Sequence, residues 1–193
     1  MDLTQGTFEE KRRRSKKMML YFAIGSMIMA FAGLISAYIV SSSRPDWITD
    51  FVLPSSFVIN LFTALASSIT FLVARKLTAK GEHGKASFML AITLLIGILF
   101  VFLQFSGFGQ IIAEGYYFTG AQSNAKISFL YIIVAFHLAH VLSGLIAVVV
   151  VTIQHLRKKY TPTSMLGMEL GEQFWHFLGI MWLVLFLFFY FLK

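Results

Sequence analysis

Residues 167–193 read GMELGEQFWHFLGIMWLVLFLFFYFLK and decide the fold of this chain. From Phe174 onward the stretch is almost wholly apolar, and it reaches the roughly 20 residues that a helix needs to cross a bilayer. Its first turns nevertheless carry Glu169, Glu172 and His176, which lie at i, i+3 and i+7 and so share one helix face. Ionisable groups in a membrane helix are costly, so each needs a partner or a function.

The composition of the whole chain is typical of a membrane protein. Of the 193 residues, 58% are hydrophobic and 13% are charged, whereas soluble domains have roughly 45–50% and 25%. The chain contains no cysteine, which excludes disulfides and cysteine-bound clusters. Its net charge of +7 comes from basic residues at the ends of apolar runs. That pattern indicates topology signals and no nucleic-acid partner.

Five apolar runs predict an all-α integral membrane protein built as a bundle of five transmembrane helices. We expect a flexible, basic cytoplasmic tail over residues 1–17 and a membrane domain over residues 18–193. No small-x-small cleavage site follows the first run, so it reads as a retained helix and not as a signal peptide. The predicted spans are residues 18–43, 52–75, 86–113, 126–155 and 171–192.

The distribution of Lys and Arg predicts the orientation. Thirteen of these residues lie in the N-terminal tail, between the second and third runs, and after the fourth run, while only three lie on the opposite side. Because positive charge accumulates on the cytoplasmic side, the N-terminus is predicted inside and the C-terminus outside. We expect a multi-pass protein of a bacterial inner membrane.

Polar and small residues on the apolar runs are candidates for an inter-helix core. The second run carries Asn60, the third Gln104, and the fourth His137, His140 and Gly144. Small residues let helices approach closely, and amide or imidazole groups bond across helices. At a rise of about 1.5 Å per residue, Asn60, Gln104 and His140 are expected at a similar depth near the middle of the bilayer.

The His and Glu residues also allow a metal or haem site, because they are suitable ligand types. However, the histidines of the fourth run and the group formed by Glu169, Glu172 and His176 differ in depth by roughly 10 Å. A di-metal site in a helix bundle also needs Glu from several helices, and here one run supplies them. The depths therefore favour hydrogen-bonded core histidines, with a proton or lipid-headgroup role as a further alternative.

A transporter or a hydrolase is less well supported by the pattern. The chain shows no internal repeat, and no run is broken by Gly or Pro at its midpoint, unlike the usual secondary-transporter plan. No serine lies in a Gly-x-Ser-x-Gly setting. A stand-alone five-helix transporter or haem protein remains the outside alternative.

Two motifs in the last two runs point to a family. The last run opens with Gly-x-Glu and continues into Trp-His-Phe and an aromatic tail, and the run before it carries Phe-His-x-x-His-Val-x-x-Gly. With these motifs the chain resembles subunit III of the haem–copper terminal oxidases, the cytochrome c oxidase type, in its short five-helix form. The matching residues are Gly167, Glu169, Trp175, His176, Phe177, Trp182 and Tyr190, then Phe136, His137, His140, Val141 and Gly144, with Asn60, Thr63, Ser67, Ser68, Thr70 and Ala74 in the second run and, more loosely, Phe102 and Gln104 in the third.

The resemblance implies an accessory subunit that has no cofactor, metal or catalytic residue of its own. Haem and copper are then expected in partner subunits, the catalytic subunit I together with subunit II, in a complex that reduces oxygen to water and pumps protons. The resemblance also implies bound phospholipid, support of assembly and proton uptake, and a place in a larger respiratory supercomplex. On this basis the polar, lipid-binding lining near the inner face comprises Glu169, Glu172, Trp175 and His176, and the inter-helix core comprises His137, His140, Gly144, Asn60 and Gln104.

Three acidic positions of the family pattern carry other residues here. Met27 follows Ser26 where the family often has Glu, Gly107 stands three residues after Gln104 in place of Glu, and Gly179 stands in place of Asp. The same fold would also suit a quinol oxidase or a nitric oxide reductase complex. The sequence leaves the electron donor and the reduced substrate open between these.

Overall fold

The computed structural model describes residues 7–45, 47–48, 51–120, 123–162 and 164–192. This part of the chain folds into five α-helices: α1 (Phe8–Ser41), α2 (Ser55–Ala79), α3 (His83–Ala113), α4 (Ala125–Leu156) and α5 (Leu166–Phe191). Each helix is long and apolar enough to cross a membrane. The predicted all-α architecture with five long apolar helices is thus confirmed, and it is that of a multi-pass membrane protein.

The first helix begins ten residues before the predicted span. Thr7 and Glu10 form a capping box, in which the Thr7 hydroxyl accepts from the Glu10 N–H at 3.3 Å and the Glu10 carboxylate accepts from the Thr7 N–H at 2.9 Å. A helix of 34 residues is about 50 Å long and exceeds the roughly 30 Å of the hydrocarbon core. Residues 8–17, predicted as a flexible tail, are therefore helical, and residues 1–6 lie outside the described residues.

The C-terminal end of α2 and the N-terminal end of α5 also differ from the predicted spans. Helix α2 continues to Ala79, and it ends before Gly81, whose φ of 79° lies in the left-handed region that glycine adopts readily. Helix α5 begins at Leu166, so that Glu169 lies in its first turn. Arg75, the last residue of the second predicted span, is consequently followed by a further turn of helix and can face α5.

Four of the helices form a closed ring, and the fifth lies outside it. Helix α2 packs against α3 and α5, and α4 packs against α3 and α5. Helix α1 contacts only α4 and α5 among the described helices, and it buries few side chains, chiefly Phe31 and Tyr38. The Tyr38 ring lies 4.8 Å from that of Trp47 and 5.0 Å from that of Phe188. Asn60, Gln104 and His137 are buried inside the ring of α2 to α5.

The close contact between α2 and α3 depends on Gly107. A Cβ atom added at Gly107 would collide with the Phe57 ring of α2, whereas one added at Gly109 would meet nothing within 4 Å. Phe57 is fully buried. Phe57 thus occupies the space that an acidic side chain at position 107 would need.

We expect Gly107→Ala to destabilise the bundle although alanine favours helices. Overpacking against Phe57 costs about 1–3 kcal/mol, which exceeds the gain of up to about 1 kcal/mol from better helix propensity. Gly109→Ala, on the same helix, has the better helix propensity without the overpacking, so it should be neutral or stabilising. The measurement is the free energy of unfolding of both variants in mixed detergent micelles. Equal effects of the two substitutions would contradict the packing argument.

Candidate functional site

An ion pair with a buried carboxylate joins the C-terminal part of α2 to the N-terminal part of α5. The Arg75 Nε atom donates to Glu172 Oε2 at 2.7 Å, and Glu172 is only 3% exposed. The second carboxylate oxygen lies 3.4 Å from His176 Nε2, one turn further along α5. Since a buried carboxylate is costly without a partner, Arg75 is the residue that allows Glu172 to lie inside the bundle.

Glu169 forms a separate set of ion pairs with the basic part of α1. Its carboxylate lies 3.2 Å from Arg13 Nη2 and 3.5 Å from Lys17 Nζ. Both cations belong to the first three turns of α1, which precede its apolar part. Partly exposed pairs of this kind are worth little individually, but together they hold the projecting end of α1 against the start of α5.

Trp175 is a packing residue between α3, α4 and α5. The side chain is buried, and its indole N–H donates to the Ser67 hydroxyl oxygen at 3.0 Å. The ring lies directly against two glycines, because a Cβ atom at Gly97 would lie 3.0 Å from it and one at Gly144 3.1 Å. Gly144 thus contributes to the inter-helix core by leaving room for Leu178 and Trp175. Of the four predicted lining residues, Trp175 and Glu172 are buried, while Glu169 and His176 are half-buried.

The predicted core residues separate into two places. Asn60 and Gln104 are both fully buried, and Asn60 Nδ2 donates to Gln104 Oε1 at 3.0 Å. His137 is buried too, and its ring stacks on Trp182 at 5.4 Å. His140 lies instead on the side of α4 that faces α1, with Nδ1 2.7 Å from the Phe136 carbonyl oxygen and its ring 5.7 Å from Phe31. His140 therefore faces α1 and does not join the amide pair.

A comparison with known protein families identifies the family of this chain. The sequence model of the family described as cytochrome c oxidase subunit III matches residues 4–193. The chain belongs to this family. The resemblance drawn from the motifs of α4 and α5 is thereby confirmed.

Individual relatives agree with this membership. The chain is 30% identical over 179 residues to a probable cytochrome c oxidase subunit 3 of Mycobacterium leprae, with 88% of this chain and 84% of the relative covered. It is 32% identical over 179 residues to a probable cytochrome c oxidase subunit 3 of Nocardia farcinica, with the same coverage. It is also 33% identical over 160 residues to a cytochrome bo(3) ubiquinol oxidase subunit 3 of Pseudomonas putida, with 81% of this chain and 75% of the relative covered.

In this member of the family, sequence reasoning missed a polar cluster that joins α2, α3 and α4 at one end of the bundle. His155 of α4 is buried. Its Nε2 lies 3.2 Å from the His83 carbonyl oxygen and its Nδ1 3.5 Å from the Thr78 hydroxyl oxygen. The His83 and His155 rings are 5.5 Å apart. The sequence offered one signal for this cluster: Thr78, His83 and His155 all lie at those ends of their apolar runs that are expected on the same side of the membrane.

Arg75 and Trp182 are the other important residues whose contacts the motifs did not predict. For Arg75 the signal was a basic residue at the C-terminal end of the second apolar run, on the same side of the membrane as the acids of α5. Across the described residues, no group of three or more His, Asp or Glu side chains is arranged to hold a metal ion. The two histidines near the middle of α4 instead make separate aromatic contacts, His137 with Trp182 and His140 with Phe136.

The loop between α2 and α3 and the loop between α4 and α5 each contain a group whose pKa is shifted. Burial raises the pKa of the Tyr160 phenol, which donates to Gln154 Oε1 at 3.1 Å. A Cβ atom on Gly167 would lie 2.7 Å from the Tyr160 oxygen, so this tyrosine packs against the start of α5. The hydrogen bond from the Lys85 ammonium lowers the pKa of Glu82, and that pair is 2.7 Å long.

Proposed function

We propose that this chain is the accessory, non-catalytic subunit III of a respiratory cytochrome c oxidase. In this proposal haem and copper belong to partner subunits I and II, which reduce oxygen to water and pump protons. The observation that carries it is the match of the family over residues 4–193. The proposal is supported by the way the polar residues are engaged with one another, Glu172 with Arg75 and Asn60 with Gln104. Residues paired in this way suit a structural role better than a catalytic one.

The proposed contribution of the chain is assembly, lipid binding and support of proton uptake by the catalytic subunit. Phospholipid would bind at the inner end of the bundle, where Glu169 and His176 are the accessible members of the predicted lining. The basic turns of α1, including Arg13 and Lys17, lie beside Glu169. Clusters of this kind are attracted to anionic headgroups. Glu172 and Trp175 would act indirectly, by fixing α5 in position.

The experiment that tests this function is isolation of the complex through an affinity tag on this chain. After mild-detergent extraction of the native membrane, we expect a haem-containing catalytic subunit to co-purify, together with oxygen consumption. The chain purified by itself should lack a haem Soret band. Recovery of the tagged chain without an oxidase subunit, or a Soret band in the isolated chain, would exclude the accessory role.

A second candidate is the equivalent subunit of a quinol oxidase. The observation favouring it is the 33% identity to a subunit named for a cytochrome bo(3) ubiquinol oxidase. The same purified complex separates the two, because the cytochrome c oxidase assignment requires oxidation of reduced cytochrome c. Turnover with a quinol but not with reduced cytochrome c would replace the first assignment by the second.

We also propose that the N-terminus faces the cytoplasm of a bacterial cell and that the C-terminus faces the opposite side of the inner membrane. The asymmetry of thirteen against three Lys and Arg supports this. In spheroplasts treated with protease, a C-terminal epitope tag should be removed and an N-terminal one retained. The opposite pattern would show that the orientation is inverted.

A further inference from the structure

A small cavity lies at the centre of the helix ring, where α2, α3, α4 and α5 meet. It offers about 20 Å³ of space for the centre of a water-sized sphere. Its walls are mainly apolar, but Ser67, His137 and Trp182 also line it, and all three side chains are buried. The cavity is thus both small and able to offer hydrogen bonds.

Two of these side chains have polar atoms that lack a partner. Both ring nitrogens of His137 lack a hydrogen-bond partner among the described residues, and so does the indole nitrogen of Trp182. A neutral imidazole presents one donor and one acceptor, and an indole presents one donor. Buried polar atoms are nearly always paired with protein or with ordered water, so this combination indicates a missing partner.

The two rings cannot supply that partner to each other. They stack with an interplanar angle of 23° and a centroid distance of 5.4 Å. In stacked rings the N–H groups and nitrogen lone pairs lie within the ring planes, so they point past the neighbouring ring. A third group at the ring edges is needed.

We propose that this cavity holds one buried water molecule that bridges His137 and Trp182. The water accepts a hydrogen bond from the Trp182 indole N–H and donates one to the unprotonated nitrogen of His137. Its second hydrogen is donated to the Ser67 oxygen, which already accepts from the Trp175 indole and donates to the Ala64 carbonyl oxygen. Three bonds are typical of a buried water, and a cavity needs roughly 10–15 Å³ of such space to hold one.

The size and the partners select this ligand over others. A space of about 20 Å³ accommodates a single water but neither a lipid chain nor a hydrated ion. The water joins α2, α4 and α5 through Ser67, His137 and Trp182. It also defines the tautomer of His137, because the nitrogen that faces the water must be the acceptor. The inference goes beyond the proposed function and holds whichever electron donor the complex uses.

The test is nuclear magnetic resonance of the full-length chain in detergent micelles, labelled with ¹⁵N at the tryptophan indoles. Trp182→Phe assigns the Trp182 signal. In the unaltered protein we expect a hydrogen-bonded ¹⁵N shift and a cross peak between the Trp182 indole proton and water. A non-bonded shift, or no water cross peak, would overturn the proposal without any further variant.

A matched pair of substitutions on α2 then locates the water. Ala64 lines the cavity, whereas Ala66 is exposed on the outside of the bundle. Ala64→Val adds two methyl groups to the cavity and should abolish the cross peak, while Ala66→Val should retain it. Survival of the cross peak in Ala64→Val, or its loss in both variants alike, would refute a water in this cavity.

Discussion

Replacing Arg75 by methionine is expected to lower the free energy of unfolding by about 3 kcal/mol, the lower end of the range for removing one partner of a buried ion pair, because the Arg75 side chain is 36% exposed. Methionine retains much of the length of the side chain but leaves the Glu172 carboxylate, 3% exposed, without its bond of 2.7 Å. His176 cannot replace arginine, because its nitrogen lies 3.4 Å from the other carboxylate oxygen and carries charge only when protonated. The measurement is unfolding in mixed micelles, followed by circular dichroism.

Two control variants make this result specific to the ion pair. Lys76→Met removes a neighbouring cation that is exposed on the same helix, and it should change stability little. The double variant Arg75→Met with Glu172→Gln removes both charges and should regain a large part of the loss. An effect of Arg75→Met no larger than that of Lys76→Met would mean that the carboxylate is not held by the arginine.

The example of Arg75 shows what the sequence could not predict. Hydropathy predicted five spans, and the described residues contain five helices long and apolar enough to cross a membrane. This prediction succeeds because a helix needs about 20 apolar residues to cross the hydrocarbon core, and such a run is visible in the sequence. The partner of Glu172 depended instead on α2 continuing past residue 75 to Ala79, and on the rotation of that helix about its axis. The rotation of a membrane helix about its axis is difficult to predict from the sequence, since the lipid-facing and core-facing sides of the helix are both apolar.

Depth was easier to predict than direction for the polar core residues. The rise of about 1.5 Å per residue placed Asn60, Gln104 and His140 at one level. The bond between Asn60 and Gln104 agrees with a shared level for these two residues, whereas His140 faces α1 and lies apart from them. The start of α1 was readable from Thr7 and Glu10, whose spacing is that of a capping box. The first span was predicted from hydropathy alone, and the polar residues 8–17 were therefore left out of the predicted helix.

Replacing Trp182 by alanine should destabilise the bundle by about 3 kcal/mol, the lower end of the roughly 3–5 kcal/mol for deleting a buried tryptophan. The lower end applies because a side chain released from a membrane bundle remains among lipid tails, so the loss is mainly one of packing contacts. Those contacts are extensive: the Trp182 ring lies 5.5 Å from that of Phe57, 5.4 Å from that of Phe100 and 5.4 Å from that of His137. One substitution therefore removes contacts with α2, α3 and α4 together.

The control for Trp182→Ala is Tyr190→Ala, eight residues further along the same helix. Tyr190 is 53% exposed and packs only against Phe186 and Phe191 of its own helix among the described ring contacts. Its removal should therefore have little effect on unfolding in micelles. Trp182→Phe separates the aromatic packing from the indole N–H, since it retains a ring at this position and should recover most of the stability. If Trp182→Ala and Tyr190→Ala unfolded alike, the centre of the helix ring would lie elsewhere, and Trp182 could not be the side chain on which α2, α3 and α4 converge.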